Sequence, residues 1–165
     1  MSGFVSYAHL HGVGDLPITG GLFLGDEATA LLASTDRFPI SQDQRHTVRG
    51  RLSYQLRPPV WVACAASYGS GLPVEFAGDR AQAVTQYGER IIDRVDFESG
   101  RVRPSLSVDA SVGVVATKTG KRSLRLQVDV RNLTDRLTVI NFAGVFSGTA
   151  LAPPRSAAVR LRADF

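Results

Sequence analysis

Residues 155–165 read Arg-Ser-Ala-Ala-Val-Arg-Leu-Arg-Ala-Asp-Phe. Ala157, Val159, Leu161, Ala163 and Phe165 share one parity, and Ser156, Ala158, Arg160, Arg162 and Asp164 share the other. Successive side chains of a strand point to opposite faces, so the segment predicts a strand with one aliphatic and one charged face. Two environments suit such a strand: an antiparallel sheet over a soluble core, or a barrel wall with lipid outside and a polar lumen inside. The aromatic Phe165 favours the barrel, where a strand leaves the bilayer at an aromatic belt.

Five further stretches carry the same signature or are rich in β-formers. Residues 124–132 are the clearest, with Leu124, Leu126, Val128 and Val130 set against Arg125, Gln127, Asp129 and Arg131. In 105–116, Leu106, Val108, Ala110, Val112 and Val114 oppose Ser105, Ser107, Asp109, Ser111 and Gly113. In 45–56, Val48, Gly50, Leu52, Tyr54 and Leu56 oppose Thr47, Arg49, Arg51, Ser53 and Gln55. Prolines 58 and 59 end that strand by removing ladder donors. The next strand, 60–69, sets Val60, Val62, Cys64, Ala66 and Tyr68 against Trp61, Ala63, Ala65 and Ser67, with a weak contrast between its faces. Residues 3–11 are β-rich, but their pattern does not assign faces.

The connections alternate long and short: 12–43 long, Pro58-Pro59 short, 70–104 long, 117–123 short with Gly120, and 133–154 long. In an up-and-down meander this gathers all long connections at one end, the asymmetry of outer-membrane barrels. Strands of about ten residues at roughly 3.3 Å each, tilted about 45°, rise about 23 Å, close to a barrel's apolar band of roughly 25 Å. Trp61 and Phe165 then belong to an aromatic belt at the short-turn side, although Trp61 has the wrong parity for it. Prolines 17 and 39 favour a loop over a short helix in 12–43, and 91–97 reads as a strand extension within the second long interval.

Composition removes several classes. The chain has 165 residues, 44% hydrophobic and 21% charged, which fits one ordered domain. No apolar run approaches the roughly 18 residues of a spanning helix. The start, Met-Ser-Gly-Phe-Val-Ser-Tyr, is not a secretory signal. One cysteine, Cys64, gives neither a disulfide framework nor a multi-cysteine zinc site. The net charge of +4 is spread along strands and turns, so nucleic acid is not an expected partner. Gly69-Ser70-Gly71 has neither the spacing of a nucleophile elbow nor that of a phosphate loop. His9 and His11 could share a strand face, but without a third ligand at a recognisable spacing they read as a polar patch. His46 reads as a strand-entry residue, and Asn132-Leu133-Thr134 as a strand-to-loop exit. No catalytic residue, metal site or cofactor is expected, and the chain is not expected to be an enzyme.

Four stretches in this order carry a resemblance: Ser67-Tyr68-Gly69-Ser70-Gly71-Leu72-Pro73, Arg103-Pro104-Ser105-Leu106-Ser107-Val108-Asp109, residues 128–136 (Val-Asp-Val-Arg-Asn-Leu-Thr-Asp-Arg), and Pro154-Arg155-Ser156 leading to Phe165. With their spacing, the chain resembles the C-terminal end of the β-barrel of TonB-dependent outer-membrane receptors. The resemblance implies an all-β antiparallel meander of about six long strands, part of a plugged barrel of about 22 strands in the bacterial outer membrane. Residues 1–165 form one segment of it, with Phe165 a true end and Met1 not a true beginning. It also implies that Arg49, Arg51, Arg125, Asp129, Arg131, Arg160 and Arg162 line the lumen and meet the plug. Val159, Leu161 and Phe165 correspond to the signal read by the barrel-assembly machinery. The implied partners are outer-membrane lipid, the plug domain and remaining barrel strands, and TonB, with which the whole receptor takes up a siderophore, cobalamin or glycan. The residues alone leave two alternatives: a soluble antiparallel β-sandwich acting as a binding module, or a complete eight-stranded barrel using 91–97 and part of 12–43.

Overall fold

The computed structural model describes residues 1–14, 38–40, 42–74, 76, 78–119, 122–144 and 148–164. In chain order its elements are β1 (Ser2–His9), β2 (Val13–Gly14), β3 (Phe38–Pro39), β4 (His46–Arg57), β5 (Val60–Gly69), α1 (Arg80–Tyr87) and α2 (Glu89–Ile92). They continue as β6 (Val95–Asp96), β7 (Arg101–Val102), β8 (Ser105–Thr119), β9 (Arg122–Arg131), β10 (Val139–Gly144), β11 (Gly148–Leu151) and β12 (Ser156–Asp164).

Six strands form one antiparallel sheet in the order β1-β4-β5-β8-β9-β12, each beside its predecessor in the chain. The fold is therefore the expected all-β up-and-down meander. Its register joins the alternating residues into continuous faces: Gly3, Leu52, Cys64, Ala110, Val130 and Ala157 form one row across all six strands. Tyr54, Val62, Val112, Val128 and Val159 form another. The pairing also assigns the faces of β1, placing Val5 and Tyr7 on the apolar side and Phe4 and Ala8 on the charged side.

The short turns sit at one end. Where Pro58 and Pro59 remove backbone donors, the Gln55 amide donates to the carbonyls of Arg57, Pro58 and Val60 at 2.6, 3.1 and 3.0 Å, closing the turn with a side chain. Trp61 falls on the charged face, opposite Gly113, and its indole occupies the space a side chain at 113 would need. Register thus removes Trp61 from any lipid-facing belt, and Phe165 lies outside the described residues.

The dry core is not under the sheet. Val112, in a central strand, is still 44% exposed, and Val159 and Leu161 on the edge strand β12 reach 69% and 70%. Among the described residues no second layer covers the apolar face. Ala83, Ile92, Val95, Val102, Val139 and Phe142 are instead buried together among the elements of the long connections. Phe142 is fully buried, with Tyr87, Phe76 and Phe97 rings at 4.9, 5.8 and 6.3 Å.

The second long connection differs from its expectation. Residues 89–92 are helical, and only Val95–Asp96 of the expected strand 91–97 is extended, paired with β7 rather than with the main sheet. The cause is local: Asp79 and Gln82 form a reciprocal capping box that starts α1, and Gly88 at φ 81° ends it and leads into α2. The third connection holds the hairpin β10–β11, which has no clean alternation to announce it. The loop expected in 12–43 lies mostly outside the described residues; at its edges Val13–Gly14 pairs with Phe38–Pro39, so Pro39 sits in a short strand.

Candidate functional site

The charged face of the sheet is built by parity alone. Arg49 and Arg51 on β4, Arg125, Asp129 and Arg131 on β9, and Arg160 and Arg162 on β12 all project from it. The structure brings the β9 and β12 groups together around two carboxylates. At Asp129, the Ser111 hydroxyl and the Gln127 amide each donate to Oδ1 at 2.7 Å, and Arg160 Nε lies 3.2 Å from Oδ2. At Asp164, Arg162 Nε donates at 2.9 Å, the Ser123 hydroxyl at 2.9 Å, and Arg125 Nη2 approaches to 3.6 Å. Arg125 and Arg162 are directly opposite in the register, a repulsive placement that the carboxylate between them offsets. Arg49 and Arg51 stand apart on β4, and among the described residues neither has an ion-pair partner. Arg49 lines a cleft of about 420 Å³ with Gln42, Gln44 and Thr47 where this face meets the long connections.

A second charged group, missed in sequence, ties the first and second long connections together. Asp43 is fully buried and receives the Gly12 amide at 3.1 Å, with Arg45 Nε at 3.6 Å and His11 Nδ1 at 3.8 Å. Arg101 Nη2 donates to Asp43 Oδ2, while Nη1 donates to the Asp43 carbonyl at 2.7 Å and to the Gly71 carbonyl at 3.3 Å. Burial alone pushes the Asp43 carboxyl up, but the Arg101 and Gly12 hydrogen bonds and the charges of Arg101 and Arg45 outweigh it and hold the group below its ordinary range. Gly71, at φ 91°, packs so closely on the Val102 carbonyl that no side chain fits there.

The exit from β9 is a built corner. Asn132, at φ 49°, takes the Asp109 carboxylate on its own N–H at 2.9 Å. Its side-chain oxygen accepts the Arg136 N–H at 3.1 Å, and its amide donates to the Arg136 and Pro153 carbonyls at 3.1 and 3.4 Å. Asp135 then pairs with Arg155 at 3.3 Å, joining this corner to the start of β12. The Asn-Leu-Thr-Asp run is thus a strand-to-loop exit, as its sequence suggests.

His9 faces His46 across the β1–β4 pair with ring centroids 5.0 Å apart, and the Tyr7 hydroxyl meets His46 Nδ1 at 2.9 Å. His9 therefore neighbours His46, whereas His11 neighbours Asp43. Among the described residues no group of three His, Cys, Asp or Glu side chains is placed to hold a metal. Val159 and Leu161 lie on the apolar side of β12. What the arrangement offers chemically is a charged wall on one side of the sheet and an aliphatic wall on the other. Comparison with protein-family models, with curated proteins and with solved structures gave no match.

Proposed function

We propose that the chain is a C-terminal segment of the β-barrel of a TonB-dependent receptor in the bacterial outer membrane. It would serve energised uptake of a siderophore, cobalamin or glycan as a transport and structural module. The observation that carries this reading is the two-faced six-stranded meander whose aliphatic side has no protein cover among the described residues. Lipid supplies the missing cover on that side, because exposed apolar area of this extent is unfavourable in water. The Asp129 and Asp164 clusters, with Arg49, Arg51 and Arg131, then face the lumen and the plug. The strand edges at β1 and β12 pair with the rest of the barrel, and Val159 and Leu161, with Phe165, carry the assembly signal. The long connections stand outside, where the cleft beside Arg49 faces arriving substrate.

Cys64 gives the test, since it is the single cysteine, is exposed, and belongs to an apolar row. In lipid vesicles Cys64 is expected to resist a charged maleimide and react with a lipid-soluble one. A Cys64→Ser/Ser67→Cys variant, which moves the thiol to the charged face, is expected to react with the charged reagent. Equal labelling of both positions by the charged reagent in lipid, or a soluble monomer that melts cooperatively without detergent, sinks the reading.

A further inference from the structure

A cleft of about 940 Å³ opens where the apolar face meets the long connections. Its sheet side is the cross-strand pair Tyr68 and Leu106, both on the apolar face and both exposed. Its other side is basic: Arg94 from the turn after α2, Arg103 from the link between β7 and β8, and Arg136 from the Asn132 corner line it, together with Arg80. Arg80 is already paired with Glu89 and Asp93 at 3.2 and 3.6 Å. The other three arginines have no ion pair among the described residues.

Their positions are fixed by backbone. The Arg103 N–H donates to the Arg94 carbonyl at 2.8 Å, and Asn132 holds the main chain of Arg136. Arg94 Nη2 reaches the Pro104 carbonyl at 3.4 Å, whereas its Nε is buried with no hydrogen-bond partner among the described residues. Burial first, then the charges of Arg136 and Arg103, hold the Arg94 guanidinium below the ordinary arginine range. Two acidic residues also line the cleft. Asp96 accepts from the N–H groups of Glu98 and Ser99 at 3.1 and 3.3 Å and lies in the field of the Arg103 charge without forming an ion pair with it, and the Glu98 side chain is exposed.

We infer that Arg94, Arg103 and Arg136 bind the phosphate of an anionic lipid headgroup whose acyl chains run along the apolar face past Tyr68 and Leu106. Guanidinium forks match phosphate oxygens, and a phosphate relieves the mutual repulsion of three unpaired cations. The lipid source follows from place: the basic wall stands directly beyond the end of the aliphatic face, where headgroups meet the edge of the apolar band. The inference rests on the proposed contact of that face with lipid.

The test uses the full chain in phosphatidylcholine nanodiscs containing phosphatidic acid, with native mass spectrometry of the lipid retained after transfer to detergent. The unmodified chain is expected to retain phosphatidic acid in preference to phosphatidylcholine. Arg103→Gln/Arg136→Gln removes two exposed side chains that make no hydrogen bond or ion pair among the described residues and is expected to weaken that preference about tenfold. Arg94→Lys, which keeps the charge and loses the fork, is expected to fall between the two. Unchanged retention in the double variant overturns the inference, as does full displacement of the lipid by inorganic phosphate, which marks a free-anion site. Cys64 labelling in the same discs separates the failures. A Cys64 open to a charged maleimide overturns the membrane reading as well, whereas a shielded Cys64 without lipid preference overturns this inference alone.

Discussion

Asp43 and Arg101 are 58 positions apart, yet the carboxylate they share has no exposure to water. Among the described residues, Arg101→Ala leaves that buried charge with the Gly12 N–H and the more distant Arg45 and His11, and is expected to destabilise the loop end by about 3 kcal/mol. Hydrogen exchange at the Gly12 amide, which donates to Asp43, reports the loss locally. The pH dependence has a definite sign. The folded Asp43 is held below its unfolded value, so its contribution is complete above an unfolded pKa of about 3.9 and disappears as pH falls through the folded value. A Gly12 amide that becomes more protected as the pH drops through that range, after correction for intrinsic exchange, contradicts the assignment. Gly113 offers a second test: Gly113→Val forces the indole of Trp61 off the sheet, at an expected 1–3 kcal/mol (approximately). Trp61 is the single tryptophan, so an unchanged emission spectrum would mean the ring never lay there.

Among the elements, the six strands were legible because a two-residue period needs no distant partner to be seen. Val60–Gly69 has the expected bounds even though its faces contrast weakly, and β9 shows how strict alternation fixes a strand within a residue or two. The helix α1 was missed although its signal was present, Asp79 followed three residues later by Gln82. Its few apolar residues gave no helical stripe to notice. The seven predicted charged residues do share a face, because parity settles that. Their grouping around Asp129 and Asp164 was hidden, since it depends on which strands become neighbours. The same holds for Asp43 with Arg101, and for Arg94 and Arg103 of the second connection with Arg136 of the third. At the β9 exit, Asn132→Ala loses the side-chain bonds and keeps an unfavourable positive φ, and is expected to cost about 2–3 kcal/mol. Asn132→Gly retains the backbone freedom and is expected to cost less in urea unfolding. A larger loss for glycine argues against this account of the corner.

For the whole molecule, parity becomes a statement about solvent. If the proposed barrel reading holds, Val112→Arg on the aliphatic face is expected to destabilise the sheet in lipid by about 2–4 kcal/mol, whereas Ser107→Arg, on the other face of the same strand, is expected to be far milder. Similar losses for both in a folding titration with vesicles argue against a lipid-facing wall. Among the described residues the edges β1 and β12 have no strand partner and expose rows of backbone donors and acceptors. Without detergent the chain is expected to self-associate, and Val5→Lys/Val159→Lys is expected to reduce the associated fraction in sedimentation.

Phe142 has a consequence for how such a chain can change over generations. It comes from the connection between β9 and β12, but the aromatic rings around it, Phe76, Tyr87 and Phe97, come from the connection between β5 and β8. Neither connection owns a complete interior, so drift in one is constrained by what the other supplies. Recombination that exchanges the second connection with a divergent counterpart should preserve order only when the third travels with it, making the two one heritable unit.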